Sequence, residues 1–158
     1  MGPTIRRRRI SSYLFLFIPG LALASWVTRT PAIRDELGAT IAGMGLLLFG
    51  VSIGSMTGIL SSARLVRRFG TRPVIAGGLS LMLAGVVLLG VGAGVSQAPV
   101  VFLGFLCFGL GLGSAEVAIN IEGADIERLV RAPVLVELHG FFSAGTLVGA
   151  IVGIGLTA

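Results

Sequence analysis

Two stretches of this chain place polar groups inside otherwise apolar sequence. The first is Gly113-Ser114-Ala115-Glu116-Val117-Ala118-Ile119-Asn120. Glu116 and Asn120 are one turn apart, so on a helix they share a face. Gly109 and Gly113 extend that stripe, while Phe102, Phe105, Leu106 and Leu110 lie elsewhere. A small, polar stripe of this kind is expected to face a cavity or a partner helix. Burial disfavours the charged form of a carboxyl group. A group that can be charged or neutral is what proton coupling requires. The competing reading is a hydrogen-bonded structural Glu near the membrane interface.

The second stretch is Leu138-His139-Gly140-Phe141-Phe142-Ser143-Ala144-Gly145-Thr146. His139, Ser143 and Thr146 fall on one face. The Gly145, Gly149 and Gly153 stripe is expected on roughly the other. His139 is the single histidine and Cys107 the single cysteine, so no metal-ligand cluster or internal disulfide is expected. A structural role for His139 stands beside a substrate or proton-path role. Trp26 and Arg29 end the first apolar run. Trp26 suits an interfacial anchor and Arg29 can snorkel to the surface. Both are also candidates for a substrate cavity. No nucleophile–base pair, catalytic carboxylate pair or nucleotide-binding loop is recognisable, so an enzyme is not expected, and no cofactor is implied.

The elements that must position these groups are membrane spans. Of 158 residues, 54% are hydrophobic and only 12% charged, against about a quarter in a soluble domain. Mean hydropathy is +1.00. A spanning helix needs about 20 mostly apolar residues. Five segments qualify, at about 12–27, 41–63, 74–95, 100–121 and 134–158, preceded by a basic segment over 1–11. The Arg run followed by an apolar stretch also has the outline of a signal peptide. The further spans favour an uncleaved first helix.

All 12 basic residues are arginines. Alternate connections put ten of them on one side and two on the other. The positive-inside rule then places the amino end in the cytoplasm and makes this a multi-pass protein of the cytoplasmic (inner) membrane. The clustering between apolar runs, without a basic groove and stacking aromatics, argues against nucleic acid. Gly50, Gly54 and Gly58 recur every four residues, as do Gly145, Gly149 and Gly153; small residues at this spacing let helix backbones approach in lipid. Pro19-Gly20 predicts a kink. Glu122, Asp125 and Glu127 are expected in solvated or salt-bridged structure with Arg128 and Arg131.

The second connection reads Arg64-Leu65-Val66-Arg67-Arg68-Phe69-Gly70-Thr71-Arg72-Pro73. It resembles the loop signature of the major facilitator superfamily, Gly-x-Leu-Ala-Asp-Arg-x-Gly-Arg-Lys. Leu65, Arg68, Gly70 and Arg72 match. Ala63 stands at the usual Gly and Arg67 at the usual Asp, so the gating contact made by that Asp is not expected. The Gly113-x-x-Glu116-x-Ala118-x-Asn120 run looks like the fourth helix of the fucose-permease branch, where the Glu is implicated in substrate and proton handling. Trp26-x-x-Arg29-x-Pro31 and His139-Gly140-Phe141-Phe142-Ser143 look still more like a related branch of bacterial inner-membrane permeases.

The resemblance implies an all-α integral membrane protein. It covers the whole chain, but only five of the family's usual twelve spans, so the sequence reads as a truncated amino-terminal six-helix half that lacks its carboxyl-terminal half. It implies transport of a small polar solute by alternating access, with proton coupling for which Glu116 is the protonatable group. Asn120, His139, Ser143, Trp26 and Arg29 would line the cavity, and Arg68, Gly70 and Arg72 would belong to the gating loop. The partners implied are the bilayer, the solute and protons. An efflux pump is the first alternative, and a small non-transporting membrane protein acting through helix–helix partners is the second.

Overall fold

A computed structural model of the chain describes residues 3–155; the part of the fifth expected span at 156–158 lies outside them. Six helices follow in order: α1 (Pro3–Val27), α2 (Thr30–Glu36), α3 (Ile41–Phe69), α4 (Thr71–Gly94), α5 (Ala98–Val130) and α6 (Val134–Gly155). Among the described residues there is no strand. All but α2 are long and apolar enough to cross a membrane. Their outward faces are apolar: Ile41 is 82% exposed, Leu60 74% and Val136 73%. Apolar surface on this scale suits lipid, where helices also satisfy their own backbone hydrogen bonds.

The bounds differ from the hydropathy reading in several places, α3 among them, which runs on through the arginines to Phe69. The arginine run is helical, so α1 starts at Pro3. The first connection holds α2, a short helix begun by Pro31 and anchored by buried Ile33. Finally, α5 runs on to Val130, because Glu122, Gly123 and Ile126 keep its buried stripe going past the apolar run. It ends at Arg131 in the left-handed region, just before Pro133. The joint between α3 and α4 is Gly70 alone, at φ +86°, where an L side chain would be strained.

Helix α5 is the centre of the bundle. It packs along α4 on one side and α3 on the other, while α6 packs along α1. Glycines allow each approach. A Cβ on Gly54 would strike the Leu106 carbonyl, and one on Gly109 would strike that of Val51. On the α4 side, a Cβ on Gly111 would collide with backbone of Gly78 and Met82. In α6, Gly145 lies against the Phe17 carbonyl and Gly149 against that of Leu21. The second span thus packs on the fourth as the fifth packs on the first.

Trp26 is no interfacial anchor. It is buried, edge-on to Phe105 at 5.0 Å and to Phe108 at 5.6 Å. Its indole ties the end of α1 to the first third of α5.

Candidate functional site

Three helices meet around a recess of about 80 Å³. Helix α1 contributes Leu16 and Pro19, α5 contributes Leu112, Glu116 and Ile119, and α6 contributes His139 and Phe142. The wall is apolar apart from the carboxyl and the imidazole. Both residues are exposed, and neither side chain has a hydrogen bond or ion pair among the described residues. Pro19 removes a backbone donor from α1 at this level. Next to it, Gly20 lets α6 approach: a Cβ there would collide with the Phe142 carbonyl. The recess thus brings one carboxyl and one imidazole to an otherwise apolar wall.

The other expected site residues are placed differently. The small stripe of α5 divides. Gly109 and Gly113 face α3, at Val51 and Ser55, and only the Glu116 end opens to the recess. Asn120 is half-buried, and its Oδ1 is closed off from solvent with no hydrogen-bond partner. The Ser143 hydroxyl is exposed and donates to the His139 carbonyl at 3.1 Å. Thr146 does not share an open face with these two. Its hydroxyl donates to the Phe142 carbonyl at 3.0 Å, and it packs at Gly20 on the α1 side. The polar stripe and the glycine stripe of α6 are therefore neighbours on the helix rather than opposites.

Trp26 and Arg29 line a second recess, of about 320 Å³, with Ile33 of α2 and Val86, Leu89 and Ala93 of α4. It lies two turns beyond Pro19 along α1, so the structure does not bring these two residues to Glu116. Arg68 and Arg72 are exposed at the joint centred on Gly70. The Arg68 guanidinium stacks 5.2 Å from the centre of the Phe69 ring.

Glu122, expected in solvated or salt-bridged structure with Arg128 and Arg131, is salt-bridged, but to a different partner. Glu122 is buried inside α5. It accepts from Arg8 Nε of α1 at 2.8 Å and from Thr71 Oγ1 of α4 at 2.8 Å. A second cluster joins Arg9 and Tyr13 of α1 to Glu137 of α6. Asp125 does pair with Arg128, at 3.3 Å, and Glu127 caps α6 by accepting from the Leu135 amide at 3.0 Å. One signal for Glu122 was present: it continues the Gly104, Gly111, Ala115, Ala118 spacing that faces α4. The acidic partners of Arg8 and Arg9 had no signal, because contacts between residues more than a hundred positions apart leave no local pattern.

No family model matches the chain, and no solved structure matches it. Curated relatives do. An uncharacterised MFS-type transporter of Yersinia pestis is 32% identical over 90% of the chain. An uncharacterised transporter of Sinorhizobium fredii is 26% identical over 85%, and the membrane protein MosC of Rhizobium meliloti is 28% identical over 84%. The chain spans about a third of the length of these relatives, from 32% to 36%.

Proposed function

We propose, from the premise that this chain belongs to the major facilitator superfamily, that it forms part of a proton-driven pathway for a small polar solute. The observation that carries the reading is Glu116. It is an exposed carboxyl without an ion-pair partner among the described residues, in an apolar helix, sharing a recess with His139. Ionisable groups inside spans are costly and mark ion or substrate paths. The wide use of inverted three-helix repeats in this superfamily agrees with the packing seen here, second span on fourth and fifth on first.

The mechanism follows from the cost of burying charge. Closing the recess around an ionised carboxylate leaves an unpaired ion out of water, at a cost of several kcal/mol. Closing it around a neutral carboxylic acid costs far less. A proton taken up by Glu116 from one side therefore permits the closure that carries it, and the solute, toward the other. His139 hydrogen-bonds the solute across the recess, with Ser143 and Asn120 beside it. Trp26 and Arg29 serve the second recess, toward the far end of α1. Arg68, Gly70 and Arg72 form the joint about which α3 and α4 shift during gating. The facing wall of the pathway comes from the carboxyl-terminal half of a longer protein, and the amino end lies in the cytoplasm.

Membrane vesicles holding the protein test this with an imposed pH gradient and a panel of labelled small polar solutes. Glu116→Gln should abolish gradient-driven accumulation while leaving the amount of inserted protein unchanged. Undiminished accumulation rejects the proton role. Expulsion instead of accumulation, under the same gradient, reverses the direction and favours an exporter.

A further inference from the structure

At the arginine-rich end of the bundle, α1 and α4 flank a recess of about 580 Å³ that belongs to neither cavity described above. We propose that it binds an anionic phospholipid, holding the headgroup phosphate between Arg7 and Arg72. This inference rests on the membrane-spanning fold and is independent of transport.

Charge makes the first argument. Arg8 and Glu122 both line the recess, but they neutralise each other at 2.8 Å, and the second Glu122 oxygen is taken by Thr71. Arg7 and Arg72 are exposed and have no hydrogen bond or ion pair among the described residues. The mouth therefore carries two guanidinium groups in excess of its one acid. Guanidinium forks match phosphate oxygens, and two of them suit a phosphate diester better than a single carboxylate would. The Ser11 hydroxyl, also in the lining, adds a donor without a partner among the described residues. Ser12 does not, because its hydroxyl donates to the Arg8 carbonyl at 3.0 Å.

Shape makes the second argument. Below the guanidinium groups the lining turns apolar, with Phe15 on α1 and Ile75 and Ala76 on α4. A free inorganic anion has no use for that wall, whereas an acyl chain does. A polar mouth above an apolar groove, between two helices long and apolar enough to span a membrane, fits an amphiphile whose head is negative. Basic pockets between membrane helices are a recurrent form of headgroup recognition.

The test uses the 158-residue chain in neutral detergent with equimolar phosphatidylglycerol and phosphatidylcholine, and native mass spectrometry reads the retained lipid. The expected result is preferential retention of phosphatidylglycerol. Arg7→Gln with Arg72→Gln should cut that preference by roughly fivefold per arginine, about 25-fold in all. Arg64→Gln with Arg67→Gln, two exposed arginines outside the recess, should leave it unchanged. Equal loss in both double variants means diffuse surface attraction and overturns the proposal, as does equal retention of the two lipids by the unaltered chain. Displacement of phosphatidylglycerol by millimolar inorganic phosphate assigns the site to a free anion and also overturns it. A second measurement leaves the arginines in place. In Phe15→Trp, the added indole should be quenched more strongly by brominated phosphatidylglycerol than by brominated phosphatidylcholine, and equal quenching rejects a lipid seated in the recess.

Discussion

Helices α3 and α5 are joined by the same device as α1 and α6, yet the two seams differ. Between α3 and α5, glycines answer glycines: Gly54 and Gly58 meet the Leu106 and Leu110 carbonyls, and Gly109 and Gly113 meet those of Val51 and Ser55. Backbone abuts backbone, and α4 braces α5 from the other side. Between α1 and α6, Gly145 and Gly149 meet backbone, but Gly20 is the one glycine that replies. Further along, Gly149 approaches the Ala24 methyl and Gly153 approaches the Thr28 side chain. Past Pro19 the seam gives way from backbone to side-chain contact. Helix α6 meets α5 chiefly near its own start, where Leu135 and Leu138 cover Gly123.

The bundle therefore consists of a close-set trio, α3, α4 and α5, and a softer pair, α1 and α6. The Glu116–His139 recess lies where the pair meets the trio. A recess at such a junction changes shape when one body shifts on the other, whereas a recess within either body would have to break packing. Arg8–Glu122 holds the junction at the arginine-rich end, while Arg9–Glu137 lies within the pair. Between Trp26 and Phe105, ring contact holds it nearer the other end.

The contrast can be broken most directly at its tightest point. Gly109→Leu drives a side chain into the Val51 carbonyl and the Ser55 amide, and should cost roughly 3 kcal/mol or more, splitting α3 from α5. Equilibrium unfolding in detergent would measure it. Gly149→Ala, in the softer seam, places a Cβ 2.6 Å from the Leu21 carbonyl. We expect it to cost about 1–2 kcal/mol, less than Gly109→Ala. Equal costs for the two alanine variants, measured the same way, would erase the distinction between the seams.

A double-mutant cycle on Arg8→Gln and Glu122→Gln sharpens the picture of the junction. A coupling of about 1–2 kcal/mol is expected for a buried, hydrogen-bonded pair. A coupling near zero would mean that this contact does not tie the pair to the trio. The smallest effect belongs to Ser62→Ala. It removes a hydroxyl that donates to the Ser114 carbonyl at 3.1 Å, worth about 0.6 kcal/mol between membrane helices. Stability unchanged within error would show that glycine contact alone, without this hydrogen bond, accounts for the α3–α5 seam.

Much of this architecture was legible in the residues. Runs of apolar sequence gave the five spans, and the four-residue glycine spacing marked the faces on which helices meet. Glu116 and His139 stood out because an ionisable group in an apolar run is costly enough to be rare. The family signature around Arg68, Gly70 and Arg72 was legible as well. Three particulars were not. Trp26 at a span end reads equally as an anchor or as core. Thr146 shares a helical face with His139 on a wheel, yet α1 covers it. Glu122 sits past the apolar run, where hydropathy sees a loop and the structure has a buried ion pair.

The sequence by itself determined the spans, their glycine faces and the ionisable groups inside them, because hydropathy and helical spacing are local properties. Only the tertiary structure decided that the second span meets the fourth and the fifth meets the first, since every glycine stripe is equally ready for any helix that can approach it. That choice of neighbours brought Glu116 and His139 to one recess, buried Trp26 and left Arg7 and Arg72 without a hydrogen bond or ion pair among the described residues. Each of these outcomes depends on which backbone arrives from far along the chain, and no local pattern encodes it.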